Sequence, residues 1–514
     1  MHCTILIASA FVALGTAVPT TSSKSCTPSK IHWKNCAAEN DTPGLQCANI
    51  SLPIDWSTPC SSDTVRVALA MSPARTKSQR IDSLFFNTGG PGGLVITELV
   101  GNGSGLVPFS EEIRDRFDIV AMDPRGFGRS QGIARNSSAY NDLNDKNFFP
   151  ENQEEFDTLY EASSAFEKSC QDLTGPLLEF VDSRSVARDF EAVRVALGGE
   201  KVNFFAISYG TMIGQAYLEL FPENLRTMVL HGDVEHSQRQ QYALSTISKG
   251  YEATLNQFFE WCDTNSTCAI HNKTLKSAHL FDDLIVAADA KPIPAPGCAD
   301  AANACAPTVS GFDSLSVGQE GLLIKYPIPG SPLLDSVSFP ALAKRLHKAY
   351  YGKDATEFSR IVLPPGSDNI SSVSSVYVEA AVLAAEWNTT ISTLKELRYI
   401  NRGLASAFPH TGGKSEIYNA MVSGIGWSSP PTFPERVPVF ANTSTPVFMM
   451  NAYYDPEAPY DWAMALQGEI SKSVLVSRDG VGHTSYCLKG ESWELMNEYL
   501  LDLKFPAPNT VVSS

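Results

Sequence analysis

Positive charge is the scarce commodity in this chain: 39 Lys and Arg face 56 Asp and Glu, for a net charge of −17. A surface so short of basic residues excludes nucleic acid and an anionic membrane face as natural partners. Past the first residues no apolar run is long enough for a bilayer, where ~20 residues are needed. The cysteines form no C-x-x-C pair and the histidines no H-x-x-x-H pair, so the usual zinc spacings are missing. The one dense glycine run is not followed by Gly-Lys-Ser/Thr and lacks dinucleotide spacing, which removes the phosphate-cradle readings. There is no internal repeat. These absences leave a protein without metal or cofactor, acting on a peptide or small-molecule partner.

What is present suits a large folded protein. The 514 residues are 43% hydrophobic and 18% charged, longer than one plain α/β domain of ~250–300 residues, so an insertion or second domain is expected. Ile5 to Ala17 is apolar but short, with Gly15 and Ala17 at −3 and −1 from a cut before Val18. Residues 1–17 therefore read as a signal peptide, although only His2 could charge its first part. Eleven Cys become ten once Cys3 is removed, an even number suited to an oxidising compartment. Cys262/Cys268 and Cys298/Cys305 can close small loops. Cys26, Cys36, Cys47 and Cys60 cluster near the start, and Cys170 and Cys487 remain as a candidate long-range pair, with the connectivity open. N-x-S/T acceptors stand at Asn40, Asn49, Asn102, Asn136, Asn265, Asn272, Asn369, Asn388 and Asn442. The chain thus reads as secreted, extracellular and glycosylated.

Short β-rich runs recur at Val65–Met71, Ile81–Asn87, Phe117–Met122, Val202–Ile207 and Met228–Leu230, with an amphipathic helix at Ser183–Leu197. Strands alternating with helices predict a mostly parallel sheet covered on both faces. The rhythm stops near Glu235 and returns at Thr445–Asn451 and Ser473–Ser477, followed by a closing helix over Thr484–Leu501 and a tail from Phe505. Between lie helical patterns (Tyr251–Trp261, Phe339–Tyr350, Val376–Trp387) and a Pro/Ala/Cys-rich stretch. The expected division is a core over 18–234 and 436–514, interrupted by a mainly helical cap over 235–435.

Chemistry is concentrated at strand ends. Val202–Ile207 runs into Ser208 and then a helical pattern with Gly210 and Gly214, the strand–turn–helix setting of a serine nucleophile. Asp455 follows the Thr445–Asn451 strand and His483 follows Ser473–Ser477, flanked by Gly482. Acyl transfer needs such a hydroxyl, a base and an orienting carboxylate. Asp461 and Asp479 are rival carboxylates; Asp455 is preferred for its place after the strand. The run Thr88-Gly-Gly-Pro-Gly-Gly93 also follows a strand. Pro91 has no N–H, so the expected oxyanion donors are the amides of Gly90 and Tyr209.

These motifs, together with Leu52-Pro-Ile-Asp-Trp56, Asp123-Pro-Arg-Gly-Phe-Gly-Arg-Ser130, Asp455-Pro-Glu-Ala-Pro459 and Gly482-His-Thr484, resemble the tripeptidyl aminopeptidase/proline iminopeptidase-like branch (S33 serine peptidases) of the α/β hydrolases. The resemblance implies an α/β-hydrolase fold with a helical cap and a serine hydrolase that releases residues or short peptides from peptide N-termini. It departs at Ala206, where the family has Gly, and at His231-Gly232, where it has Asp-Gly. An aminopeptidase also implies carboxylates for the substrate ammonium, for which Glu235 and Glu386 are the candidates. The alternatives are an esterase or lactonase acting on a small natural product with the same triad, and a binding module with an inactive site.

Overall fold

The computed structural model describes residues 30–37, 41–100, 107–300, 303–368, 376–387, 391–428, 443 and 445–513. The expected signal peptide, the acceptors Asn40, Asn102, Asn369, Asn388 and Asn442, and the expected cap boundary at residue 435 lie outside the described residues.

Strands β1 (Lys34–Asn35), β2 (Gln46–Pro53), β3 (Thr64–Ser72), β4 (Asp82–Asn87), β5 (Phe117–Asp123), β6 (Val202–Ile207) and β7 (Leu225–His231) precede a helical region. Within it lies a small hairpin, β8 (Ile293–Pro294) and β9 (Thr308–Val309); β10 (Val447–Tyr454), β11 (Ser473–Val481) and β12 (Val511–Ser513) follow. The main sheet has the order β1-β2-β3-β5-β4-β6-β7-β10-β11-β12. Pairing is antiparallel from β1 to β5 and parallel from β5 onward. The parallel strands are apolar on both faces because both are covered. On β6, Phe204 and Ala206 face one apolar layer while Phe205 and Ile207 face the other. The Phe204 ring meets Phe190 of helix Ser183–Ala196 at 5.0 Å, and Phe205 meets Tyr486 at 4.8 Å on the opposite face.

Between β7 and β10 the chain is mainly helical, including Gln240–Thr264, Ser277–Ala290, Gly311–Glu320, Phe339–Gly352, Val376–Glu386 and Glu416–Ser423. Tyr251, Phe258, Phe281, Leu284 and Phe339 give part of it an apolar cluster of its own. The Pro/Ala/Cys-rich stretch folds into the β8–β9 hairpin, with Cys298 bonded to Cys305.

Three details depart from expectation. The closing helix starts at Gly490 rather than Thr484, because Lys489 takes φ +63° and interrupts any earlier helix. The tail contributes β12, which fills the open edge of β11. Cys170 and Cys487 are free, buried thiols rather than a pair. Cys170 packs among Phe166 and Leu177 in one apolar layer, whereas Cys487 sits with Ile324 and Leu334 in a separate small cluster, so no bond between them can form. Disulfides join Cys36–Cys47 and Cys262–Cys268, and Cys60 is also disulfide-bonded. Asp41 lies beside Cys36 and Cys47 in a grouping close enough for a metal, but the disulfide takes both sulfurs. Among the described residues no helix is long and apolar enough to cross a membrane.

Candidate active site

Ser208 sits where β6 gives way to helix Gly210–Leu220, with φ +57°. A non-glycine residue in that region is strained. Its amide donates to His231 O at 3.0 Å, which holds the bend against β7. The strain is tolerated because the neighbours are small. A Cβ on Gly210 would lie 2.7 Å from Asn87 Oδ1, and one on Gly214 would lie 2.7 Å from Leu230 Cδ2. Ala206, where the resemblance implies glycine, is accommodated beside Gly214. Its methyl would be 3.6 Å from a Cβ at position 214, ordinary contact distance.

Asp455 follows β10 directly and is buried. Its Oδ1 accepts the amides of Glu457 (2.9 Å) and Ala458 (2.8 Å), so the Pro-Glu-Ala-Pro turn orients the carboxylate. His483 Nδ1 lies 2.9 and 3.0 Å from its two oxygens. A carboxylate only accepts, so Nδ1 carries the proton and Nε2 faces the cavity. The histidine loop is held from three sides. Gly482 N–H donates to Tyr454 O (2.8 Å), His483 N–H to Leu323 O (3.0 Å), and buried Arg478 donates to Gly482 O (2.7 Å) and Val481 O (3.0 Å). The rival carboxylates are elsewhere: Asp461 pairs with Lys249 and Asp479 is exposed on β11.

Ser208, Tyr209, Gly90 and His483 line one cavity of about 350 Å³. The amides of Gly90 and Tyr209 donate to no backbone carbonyl among the described residues. Gly89 presses against the serine: a Cβ there would lie 2.7 Å from Ser208 Cβ and 3.0 Å from Tyr209 N. His483 Nε2 makes no hydrogen bond among the described groups and stands 3.5 Å from Glu457 Oε2. Ser208 and His483 therefore share the cavity with no hydrogen bond between them, a looseness common before substrate binds.

The same cavity gathers four carboxylates, Glu320, Glu379, Glu416 and Glu457. Burial pushes all four upward, against Arg345 in the case of Glu320; repulsion from neighbouring carboxylates adds to it for Glu379, Glu416 and Glu457, taking Glu457 to about 7 and Glu379 to about 8. For His483, burial works against the charged ring, but Asp455 and Glu457 outweigh it and push the imidazole to about 9. His231, beneath, is driven the other way to about 3 by burial and by the nearby His483.

Glu235 and Glu386 do not line this cavity. Glu235 is buried and accepts Ser237 N–H. Glu386 accepts from Ser183, from Tyr209 Oη (2.9 Å) and from His236 (3.3 Å). It supports the residue after Ser208 rather than facing a ligand. Glu457 lies inside a motif without an assigned role, and Arg478 falls just past the expected strand Ser473–Ser477, which in the structure runs on to Val481. Glu320, Glu379 and Glu416 carried no local signal. Of the described glycan acceptors, Asn49 and Asn272 are exposed, Asn265 is half-buried and Asn136 caps a helix.

The Leu52–Trp56 and Asp123–Ser130 motifs have structural work. Arg125 is buried in a two-pronged pair with Asp189 (2.7 and 2.6 Å) and donates to Ile54 O and Pro53 O, while Trp56 Nε1 also donates to Asp189. Asp123 accepts the amides of Ile96 and Arg129. Both motifs tie the loops at the strand ends together.

Residues 82–316 match the family model described as alpha/beta hydrolase fold, and residues 413–512 match one described as TAP-like protein. The chain belongs to the α/β hydrolases. This α/β hydrolase is similar to serine protease Hip1 of Mycobacterium tuberculosis, 31% identical over 262 residues covering 50% of this chain and 49% of that protein. It is also similar to tripeptidyl aminopeptidase of Streptomyces lividans, 27% identical over 242 residues, 46% of this chain and 44% of the other. The alignments thus span about half the length of these relatives. A solved proline iminopeptidase from Mycobacterium smegmatis aligns over 88% of this chain and 98% of its own at 12% identity and TM-score 0.40.

Proposed function

We propose that this α/β hydrolase is a secreted serine hydrolase of aminopeptidase type. The observation that carries the reading is the set of four carboxylates in one cavity with Ser208 and His483. A peptide N-terminus is an ammonium, and partly buried carboxylates with few cations near them are the groups that would hold it. The helical region between β7 and β10 acts as the cap, bringing Glu320, Glu379 and Glu416 over the end of the sheet. The described disulfides support an oxidising compartment.

In this reading Ser208 Oγ attacks the scissile carbonyl while His483 Nε2 takes its proton, and Asp455 holds the Nδ1–H and stabilises the imidazolium. The amides of Gly90 and Tyr209 receive the oxyanion. Collapse breaks the C–N bond, His483 protonates the leaving amine, and an acyl-enzyme ester remains. Water, deprotonated by His483, then releases the acid and restores Ser208.

A fluorophosphonate should label the wild type and not Ser208→Ala. Acetylating the amine of a tripeptidyl anilide should remove about 2–5 kcal/mol of binding, lowering kcat/KM roughly 30-fold or more. Equal labelling of Ser208→Ala refutes the nucleophile. Acetylated peptides cleaved as fast as free ones refute the aminopeptidase assignment and leave an ester-type substrate.

A further inference from the structure

A second chamber lies beyond the carboxylates. It encloses about 270 Å³ and shares Glu320, Glu379 and Glu416 with the cavity of Ser208, so these three form the partition between the two. One part of its wall is aromatic: Phe148 stacks on Phe312 at 5.6 Å, and Phe166 meets Tyr140 edge-on at 5.8 Å, while Asn144, Asn419 and Ser423 add polar groups. At the far end Arg360 is ion-paired with Asp145 and lies 3.8 Å from Asp313. The chamber is smaller than the ~300–1,000 Å³ typical of whole-ligand sites, which suits one side chain rather than one molecule.

An α-ammonium resting on the partition and a scissile carbonyl at Ser208 together constrain how the first residue lies. The peptide chain must run toward Ser208 through the first cavity. The side chain of that residue is then directed across the partition. We propose that the second chamber receives the side chain of the substrate's N-terminal residue, so that the enzyme selects peptides beginning with a large apolar or aromatic residue. This rests on the aminopeptidase reading, which supplies the ammonium.

The test uses tripeptidyl anilides differing only in their first residue (Gly, Ala, Leu, Phe, Trp), each free and acetylated, with rates normalised to the fraction of Ser208 that a fluorophosphonate labels. The wild type should prefer Phe over Gly by roughly 10- to 200-fold or more in kcat/KM, since even one methylene in an apolar pocket is worth that range. Ala420 lines the chamber from helix Glu416–Ser423, and Ala420→Phe should collapse the Phe/Gly ratio toward one. Phe312→Ala, which opens the wall instead of filling it, should shift preference from Phe toward Trp; it serves if Ala420→Phe does not fold. A flat wild-type series in which acetylation still blocks cleavage overturns the chamber and leaves the amine anchor standing. A Phe/Gly ratio unchanged in both variants also overturns it. Equal cleavage of free and acetylated peptides instead overturns the parent reading.

Discussion

Replacing Glu457 by Gln isolates the charge that His483 feels from the cavity side. The ring is flanked by Asp455 at Nδ1, by Glu457 Oε2 at 3.5 Å from Nε2, by Arg478, which opposes its charge, and by neutral His231 beneath. Two unit charges at that distance interact by about 1 kcal/mol in water and about 5 kcal/mol at an effective permittivity of ~20. The Glu457 side chain is 22% exposed, so the lower part of that range governs, and at 1.36 kcal/mol per unit the imidazole should fall by at least ~1 pH unit. His483 works as a base only when neutral. Its pKa is raised to about 9, so the wild type gains activity as pH climbs toward that value, and in Glu457→Gln the acid limb moves to lower pH. Glu457 itself titrates near 7, so the two profiles should separate between about 7 and 9 and converge below. The assay is kcat/KM for p-nitrophenyl acetate, which has no amine and so does not report on amine binding by the carboxylates. An acid limb that stays in place, or moves upward, refutes the argument that Glu457 holds the proton on His483. Asp455→Asn should instead lower kcat by about 10⁴ through loss of the correct tautomer.

Two further changes probe the scaffold. Gly89→Ala would place a methyl 2.7 Å from Ser208 Cβ at φ +88° and should cost about 10²-fold in kcat, as small misplacements of reacting groups do; near-normal kcat would show that the glycine loop is not held against the serine. Asp189→Ala leaves Arg125 buried and unpaired beside β2, which should lower stability by about 3–5 kcal/mol in urea unfolding; a loss under about 1 kcal/mol would mean that water or another group satisfies the guanidinium.

Ser208, Asp455 and His483 were each visible in the sequence because each lies within a few residues of the end of a β-rich run, and the α/β order of the core was visible for the same reason. The carboxylates show the limit. Glu386 was selected and Glu379 passed over, although both lie on helix Val376–Glu386. Seven residues advance a helix by about 10 Å, enough to carry Glu386 past the cavity to Ser183 and Tyr209 while Glu379 stays within it. Cys170 and Cys487 looked like partners by elimination, yet they lie in separate apolar clusters.

By itself the sequence determined what contiguous residues can encode: apolar strands, the small-residue bend at Ser208, the turn that orients Asp455, and the glycine loop beside them. Tertiary structure alone decided which charges meet. Glu320, Glu379, Glu416 and Glu457 come from three helices and a loop, spread across 138 positions of chain, and nothing local aims them at one another. Strand-end geometry is a short-range consequence of backbone conformation, whereas the orientation of a helix face is set by what it packs against.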